Sequence, residues 1–203
     1  CRTSLAVSAL RIMRYCHKIM EESPLQNYKA RQTALLGMLF ALSMALSFLE
    51  SMLTPFFGLM PAMKLGLSNI VVMYAVLFLN RRSALYLMLL KALFALLTRG
   101  VTAGFLSLCG GALSLAVFCL LLALPFTITG YIFSVSGALA HNCGQLLGAA
   151  ALLSDKMAIT YAPMLLIAGL IVGSCTYMVS RLILPAVKRI IPPKSKAESK
   201  ITF

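Results

Sequence analysis

Acidic side chains are nearly absent from this sequence. Five Asp and Glu stand among 203 residues, and Asp155 is the single aspartate. Metal-assisted chemistry on a diphosphate needs clustered aspartates to hold Mg²⁺ against the phosphates, and the sequence encodes no such cluster. A Gly-x-x-x-x-Gly-Lys-Ser/Thr phosphate loop is missing too, which excludes nucleotide hydrolysis by that device. The six cysteines, at 1, 16, 109, 119, 143 and 175, form no Cys-x-x-Cys pair and no His/Cys cluster at metal spacing. They read as small apolar residues inside helices. Ser/His and Cys/His pairs lack a third, orienting acid nearby. Catalysis by this chain alone, a bound metal and a cofactor are therefore not expected.

Charge of either sign is also scarce, at 11% of residues, where soluble domains carry about a quarter. What fills the space is apolar: 61% of the chain is hydrophobic and the mean hydropathy is +0.94. A water-soluble fold of this composition would expose apolar patches far larger than monomers show. The expected class is an all-α membrane protein, a compact bundle of about six transmembrane helices.

Apolar runs near the 20 residues that a bilayer span requires place those helices. They cover about 34–48, 65–79, 84–98, 105–124, 130–153 and 159–184. Thr54–Pro61 reads as a Pro/Gly-bearing loop, Arg99-Gly100 with Gly104 as a turn, and Pro125 as the stop of the fourth span. The connection at Pro125 carries no charge, which leaves open a re-entrant unit made of spans four and five. Three segments follow: a basic N-terminal stretch at 1–30, a transmembrane domain at 31–186, and a basic tail at 187–203 expected to be disordered. The first 30 residues are mixed and basic throughout, without the clean apolar core of a signal peptide.

The net charge of +13 formally suits nucleic acid, but its placement does not. Of 18 Lys and Arg, six lie between Arg2 and Arg31, two at Arg81-Arg82 and six from Arg181 onward. Basic residues crowded at the ends of apolar spans mark the cytoplasmic side and meet anionic lipid headgroups. The basic groove with interleaved aromatics that nucleic-acid binding needs is missing. Only Lys64, Arg99 and Lys156 fall on the opposite side, so both termini are expected in the cytoplasm.

Several polar residues interrupt the apolar runs. Lys91 lies deep within the third span, where a charge normally faces the bundle interior, paired or lining a cavity. Glu50, the only acid in the spans, is its expected partner, and a purely structural ion pair is the alternative. Lys64, Ser68 and Asn69 bring polar groups to one membrane face. Lys64 suits either an anionic ligand or a snorkelling role. Ser134, His141, Asn142 and Gln145 share one face at the helical period, as a ligand pocket or a helix–helix polar network. Gly37, Ala41 and Ala45 put small residues at intervals of four on the first helix, a face suited to close helix approach.

Three motifs carry a resemblance: Pro61-x-x-Lys-Leu-Gly-Leu-Ser-Asn69, Ser107-Leu-Cys-Gly-Gly-Ala-Leu-Ser114 and Gly137-Ala-Leu-Ala-His-Asn-Cys-Gly-Gln-Leu146. Over about 34–184 the chain resembles the bacterial membrane family of Gx transporters, also labelled heptaprenyl diphosphate synthase component I. That family is similar to the substrate-binding (S) components of energy-coupling-factor transporters. The resemblance implies six helices in the bacterial plasma membrane and a pocket facing outward. It also implies a first-helix face, here Gly37, Ala41 and Ala45, that docks an energising transmembrane subunit, with ATPase subunits as separate chains. A substrate-binding set of Lys64, Asn69, Lys91, Arg99, His141, Asn142 and Gln145 is expected. Its cations lean towards an anionic or polar aromatic ligand, such as a vitamin or a quinone or isoprenoid precursor. The competing expectation is a non-catalytic membrane component of a heptaprenyl (polyprenyl) diphosphate synthase system.

Overall fold

The computed structural model describes residues 30, 32–53, 56, 66–152, 155–190 and 201–202. The chain divides into two compact units, 1–38 and 39–203. In the first, the described residues belong to the opening turns of a helix whose bounds are Gln32–Leu53, here α1. In the second, α2 spans Asn69–Leu79, and α3 to α6 span Arg81–Arg99, Val101–Ala123, Gly130–Leu152 and Asp155–Ile190. The protein is an all-α membrane protein. Among the described residues the only strands are Ile128–Thr129 and Ile201–Thr202, paired in parallel. That pairing and the extension of α6 to Ile190 give structure to parts of the tail expected to be disordered; residues 191–200 lie outside the described residues.

Polarity is inverted relative to a soluble domain. Ser43, Ser47, Glu50, Ser68, Asn69, Lys91, Ser107, Ser114, Ser134, His141, Asn142, Gln145, Thr176 and Ser180 are buried. Large apolar residues cover the outside, including Leu89, Leu93, Leu97, Ile159, Ile167, Ile171 and Leu182. In water this arrangement would be unstable; in hydrocarbon it is the one expected, because lipid solvates the apolar shell and the interior satisfies the polar groups.

Among the described residues three helices are long and apolar enough to cross a bilayer: Gln32–Leu53, Val101–Ala123 and Ala158–Leu182. Helix α5 has 23 residues and so spans about 34 Å, but its polar face lowers its hydropathy. Helix α3 has 19 residues, four of them basic. The fourth and fifth expected spans are thus separate full-length helices. Leu124, extended at φ −63° and ψ 146°, ends α4 where the following Pro125 disfavours helical backbone.

Two expectations change. Gly104 is not part of a turn: Gly100 alone, at φ +91°, reverses the chain between α3 and α4. Gly104 sits inside α4, where a Cβ would come within 2.5 Å of Leu96 Cβ on α3. The second span is also shorter than its apolar run, because the turn at Gly66–Asn69 delays the helix start. Eleven residues rise only about 16 Å, half the hydrocarbon thickness. Helix α2 passes into a π-helical turn at Ala75–Leu79 and ends at extended Asn80. Val71–Met73 and Ala75–Leu79 are all buried, and the helix packs on α3, α4 and α5.

Glycine sets how closely the long helices approach. On α5, Gly137 lies under the Phe118 ring of α4, and Phe118 stacks on Phe133 with centroids 4.7 Å apart. A Cβ on Gly144 would fall 2.6 Å from Cys109 O of α4, and one on Gly173 would fall 2.7 Å from Val135 Cα of α5. Leu106, Ala149, Leu165, Ala168 and Val172 fill the core between α4, α5 and α6. Gly137→Ala is expected to destabilise the protein by about 1–3 kcal/mol through overpacking. Gly37→Ala, where no atom lies within 4 Å of the new Cβ, is expected to be neutral. Paired thermal denaturation of both variants in one detergent checks this.

Candidate functional site

Helix α1 turns a polar edge inward: Ser43, Ser47 and Glu50, spaced four and three apart, are buried. The Glu50 carboxylate meets the turn that starts α2. Its Oε1 accepts the Leu67 N–H, and its Oε2 accepts the Ser68 hydroxyl at 3.2 Å. The turn is closed by Asn69 N–H donating to Gly66 O at 2.9 Å and Ile70 N–H to Leu67 O at 3.2 Å. Gly66 at φ +98° makes that geometry possible without a Cβ clash. A carboxylate at this end of α2 holds the turn that leads into the helix and complements its dipole.

Two cations from α3 act on the same carboxylate. Lys91 is buried, and its ammonium is attracted electrostatically to Glu50. Its Nζ has no hydrogen-bond partner. Arg99, half-buried two turns further on, is also attracted to Glu50. Its Nη2 donates to Ser47 O at 3.2 Å, whereas its buried Nη1 has no partner. Glu50, the partner expected for Lys91 from the sequence, lies within electrostatic reach of both Lys91 and Arg99, without a hydrogen bond to Lys91 Nζ.

The other side of the same turn faces α4 and α5. Asn69 Nδ2 donates to Ser114 Oγ at 2.8 Å and to Gly137 O at 3.2 Å, while Asn69 Oδ1 has no partner. Asn142 Nδ2 donates to Leu165 O of α6 at 2.6 Å, leaving Asn142 Oδ1 without a partner. Ser134 Oγ donates to Gly173 O of α6 at 2.9 Å. The His141 ring is held between two glycines. A Cβ on Gly66 would meet His141 Cδ2 at 3.3 Å, and one on Gly110 would meet Cε1 and Nδ1 at 2.9 Å. Gln145 is buried one turn beyond. Part of the polar face of α5 therefore binds helix to helix, and Asn142 also presents an amide oxygen with no donor.

Of the expected site residues, Lys91 and Arg99 gather at Glu50, and Asn69, His141 and Asn142 gather around Gly66–Asn69. Gln145 lies in the same buried interior. Lys64 lies outside the described residues. Gly37, Ala41 and Ala45 are exposed on α1, away from its buried Ser43–Ser47–Glu50 edge. Sequence reasoning noted Ser68 but left it and Ser114 out of the binding set, and it missed the two glycines that hold His141. Ser107 and Ser114, seven residues apart and buried on α4, were the available signal for a polar stripe. Among the described residues no group of three His, Cys, Asp or Glu side chains gathers at metal distance.

Glu50→Gln leaves Lys91 and Arg99 without their carboxylate and is expected to destabilise by about 3–5 kcal/mol, the cost of breaking a buried pair. Adding Lys91→Met should recover part of that loss, which a double-mutant cycle on thermal unfolding measures. Gly110→Ala, with its Cβ 2.8 Å from His141 O, should lower the melting temperature more than Gly66→Ser lowers it through strain alone.

No curated protein and no solved structure matches the chain. The sequence model of one family does, over residues 39–183, a stretch holding α2 to α5 whole, most of α1 and α6, and every group just described except Gly37. By that match the chain belongs to the heptaprenyl diphosphate synthase component I family.

Proposed function

We propose that this chain is the substrate-binding membrane subunit of an energy-coupling-factor-type uptake transporter rather than an enzyme. It captures a small vitamin-like molecule, or a quinone or isoprenoid precursor, outside the bacterial plasma membrane and delivers it inward. One observation carries this reading. Lys91 Nζ on α3, Asn69 Oδ1 on α2 and Asn142 Oδ1 on α5 are buried polar atoms without hydrogen-bond partners. Unsatisfied polar groups in a membrane interior are costly, and a bound polar molecule supplies what they lack. The scarcity of acids and the missing phosphate loop fit a chain whose energy comes from separate ATPase subunits.

In this reading the exposed Gly37, Ala41 and Ala45 meet the energising transmembrane subunit. Small residues flanked by exposed Met38, Leu42 and Phe48 suit close helix approach. Both termini lie in the cytoplasm, by the distribution of Lys and Arg. The second reading, a non-catalytic membrane component of a heptaprenyl diphosphate synthase system, is favoured by the family's name.

Gentle purification from the native membrane, followed by native mass spectrometry, separates the two. Transporter ATPases together with a retained small molecule are the expected result. A co-eluting prenyl synthase with no retained molecule would replace the transporter reading by the second. The Asn142→Ala variant is expected to lose most of the retained compound while keeping its helical content by circular dichroism.

A further inference from the structure

We propose that Lys91 Nζ and Arg99 Nη1 bind one singly charged oxyanion, a carboxylate or phosphate ester, with Glu50 as the fixed counter-charge. The proposal rests on the substrate-capture reading and names the ligand group that its charged side recognises.

The charge count comes first. Among the described residues, two α3 cations act on one buried carboxylate. The remaining described acid, Asp155, is exposed at the start of α6. With Lys91 buried and Arg99 half-buried beside a single carboxylate, this set carries one positive charge in excess. A buried charge without a counter-charge is strongly disfavoured in an apolar surrounding, so one monoanion is the ligand that completes the set.

Donor geometry points the same way. Glu50 already accepts from Leu67 N–H and from Ser68 Oγ, and these bonds fix its carboxylate against the turn. Arg99 Nη2 is spent on Ser47 O, which orients the guanidinium and leaves Nη1 buried and unused. Lys91 is 3% exposed, and its Nζ makes no hydrogen bond. Two charged donors held ready without an acceptor match an oxyanion, because charge-assisted N–H···O bonds are the strongest that either side chain forms. A neutral ligand would leave the excess charge in place.

Such an anion reaches a membrane protein either as a free solute or as a lipid headgroup, and the experiment distinguishes them. The full chain is placed in phosphatidylcholine nanodiscs and titrated with acetate, with acetamide as the neutral control, at constant ionic strength. Saturable thermal stabilisation by acetate alone identifies a free-anion site. In parallel, nanodiscs doped with phosphatidylglycerol are examined by native mass spectrometry for retained anionic lipid. At least one arm is expected to respond, to weaken about tenfold or more in Lys91→Gln, and to persist in Lys91→Arg. Arg99→Gln reads the same site if Lys91→Gln does not fold. No response to acetate or phosphatidylglycerol, or a response unchanged in these variants, overturns the proposal. A neutral co-purified molecule retained by Lys91→Gln would overturn it while leaving substrate capture standing. Retention of phosphatidylglycerol without any co-purified solute would support it and remove the capture reading instead.

Discussion

The bond between the Glu50 carboxylate and the start of α2 is the constraint on which the interior depends. Four consecutive residues, Gly66 to Asn69, connect polar groups of α1, α4 and α5. Leu67 and Ser68 hold Glu50, Gly66 lies against His141 and Asn142, and Asn69 reaches Ser114 and Gly137. Without a carboxylate at that point, the Leu67 N–H and the Ser68 hydroxyl would lose their acceptor, and two α3 cations would have no counter-charge. A single acidic residue thus sets the register of α1 against α2 and α3. The near absence of acids elsewhere makes that placement unambiguous: no other described carboxylate competes for Lys91 or Arg99.

The second organising device is the glycine-lined crossing of α4, α5 and α6. Lipid offers no hydrophobic drive to push apolar helices together, so close packing and buried hydrogen bonds do that work. Gly110 and Gly144 bring α4 and α5 near enough to hold the His141 ring, and Gly169 and Gly173 bring α6 near enough for Leu165 O and Gly173 O to accept from Asn142 and Ser134. The polar residues of α5 therefore fasten the bundle, and Asn142 leaves one acceptor open within it.

Much of the bundle was legible from hydropathy alone, because a bilayer imposes a length on each helix and a composition on its surface. The apolar runs ending at Pro125 and beginning near Ile159 mark α4 and α6 to within a few residues. Lys91 announced an inward charge, and Glu50 was its only reachable partner. What the pattern hid were contacts made through backbone. Nothing in one dimension says that Leu67 N–H caps onto a carboxylate 17 residues earlier, or that Gly66 and Gly110 converge on one imidazole. Glycines within apolar runs look alike until a neighbour is placed on them. Gly104 resembled a turn for that reason and proved to be a packing surface for Leu96. The short α2 was hidden differently: its apolar run is long, but the Gly66 turn takes its first residues out of the helix.

The brevity of α2 has a consequence for biogenesis. Eleven residues, Asn69 among them, are too few to be held across a bilayer by their own partitioning, and α5 carries its polar face into the same environment. Neither segment is a self-sufficient signal for membrane integration. Each must enter alongside a neighbour that covers it, α2 with α1 and α3, α5 with α4 and α6. Integration and tertiary folding are therefore one event for this protein, and Glu50, arriving on the first helix, waits for the segment that will satisfy it.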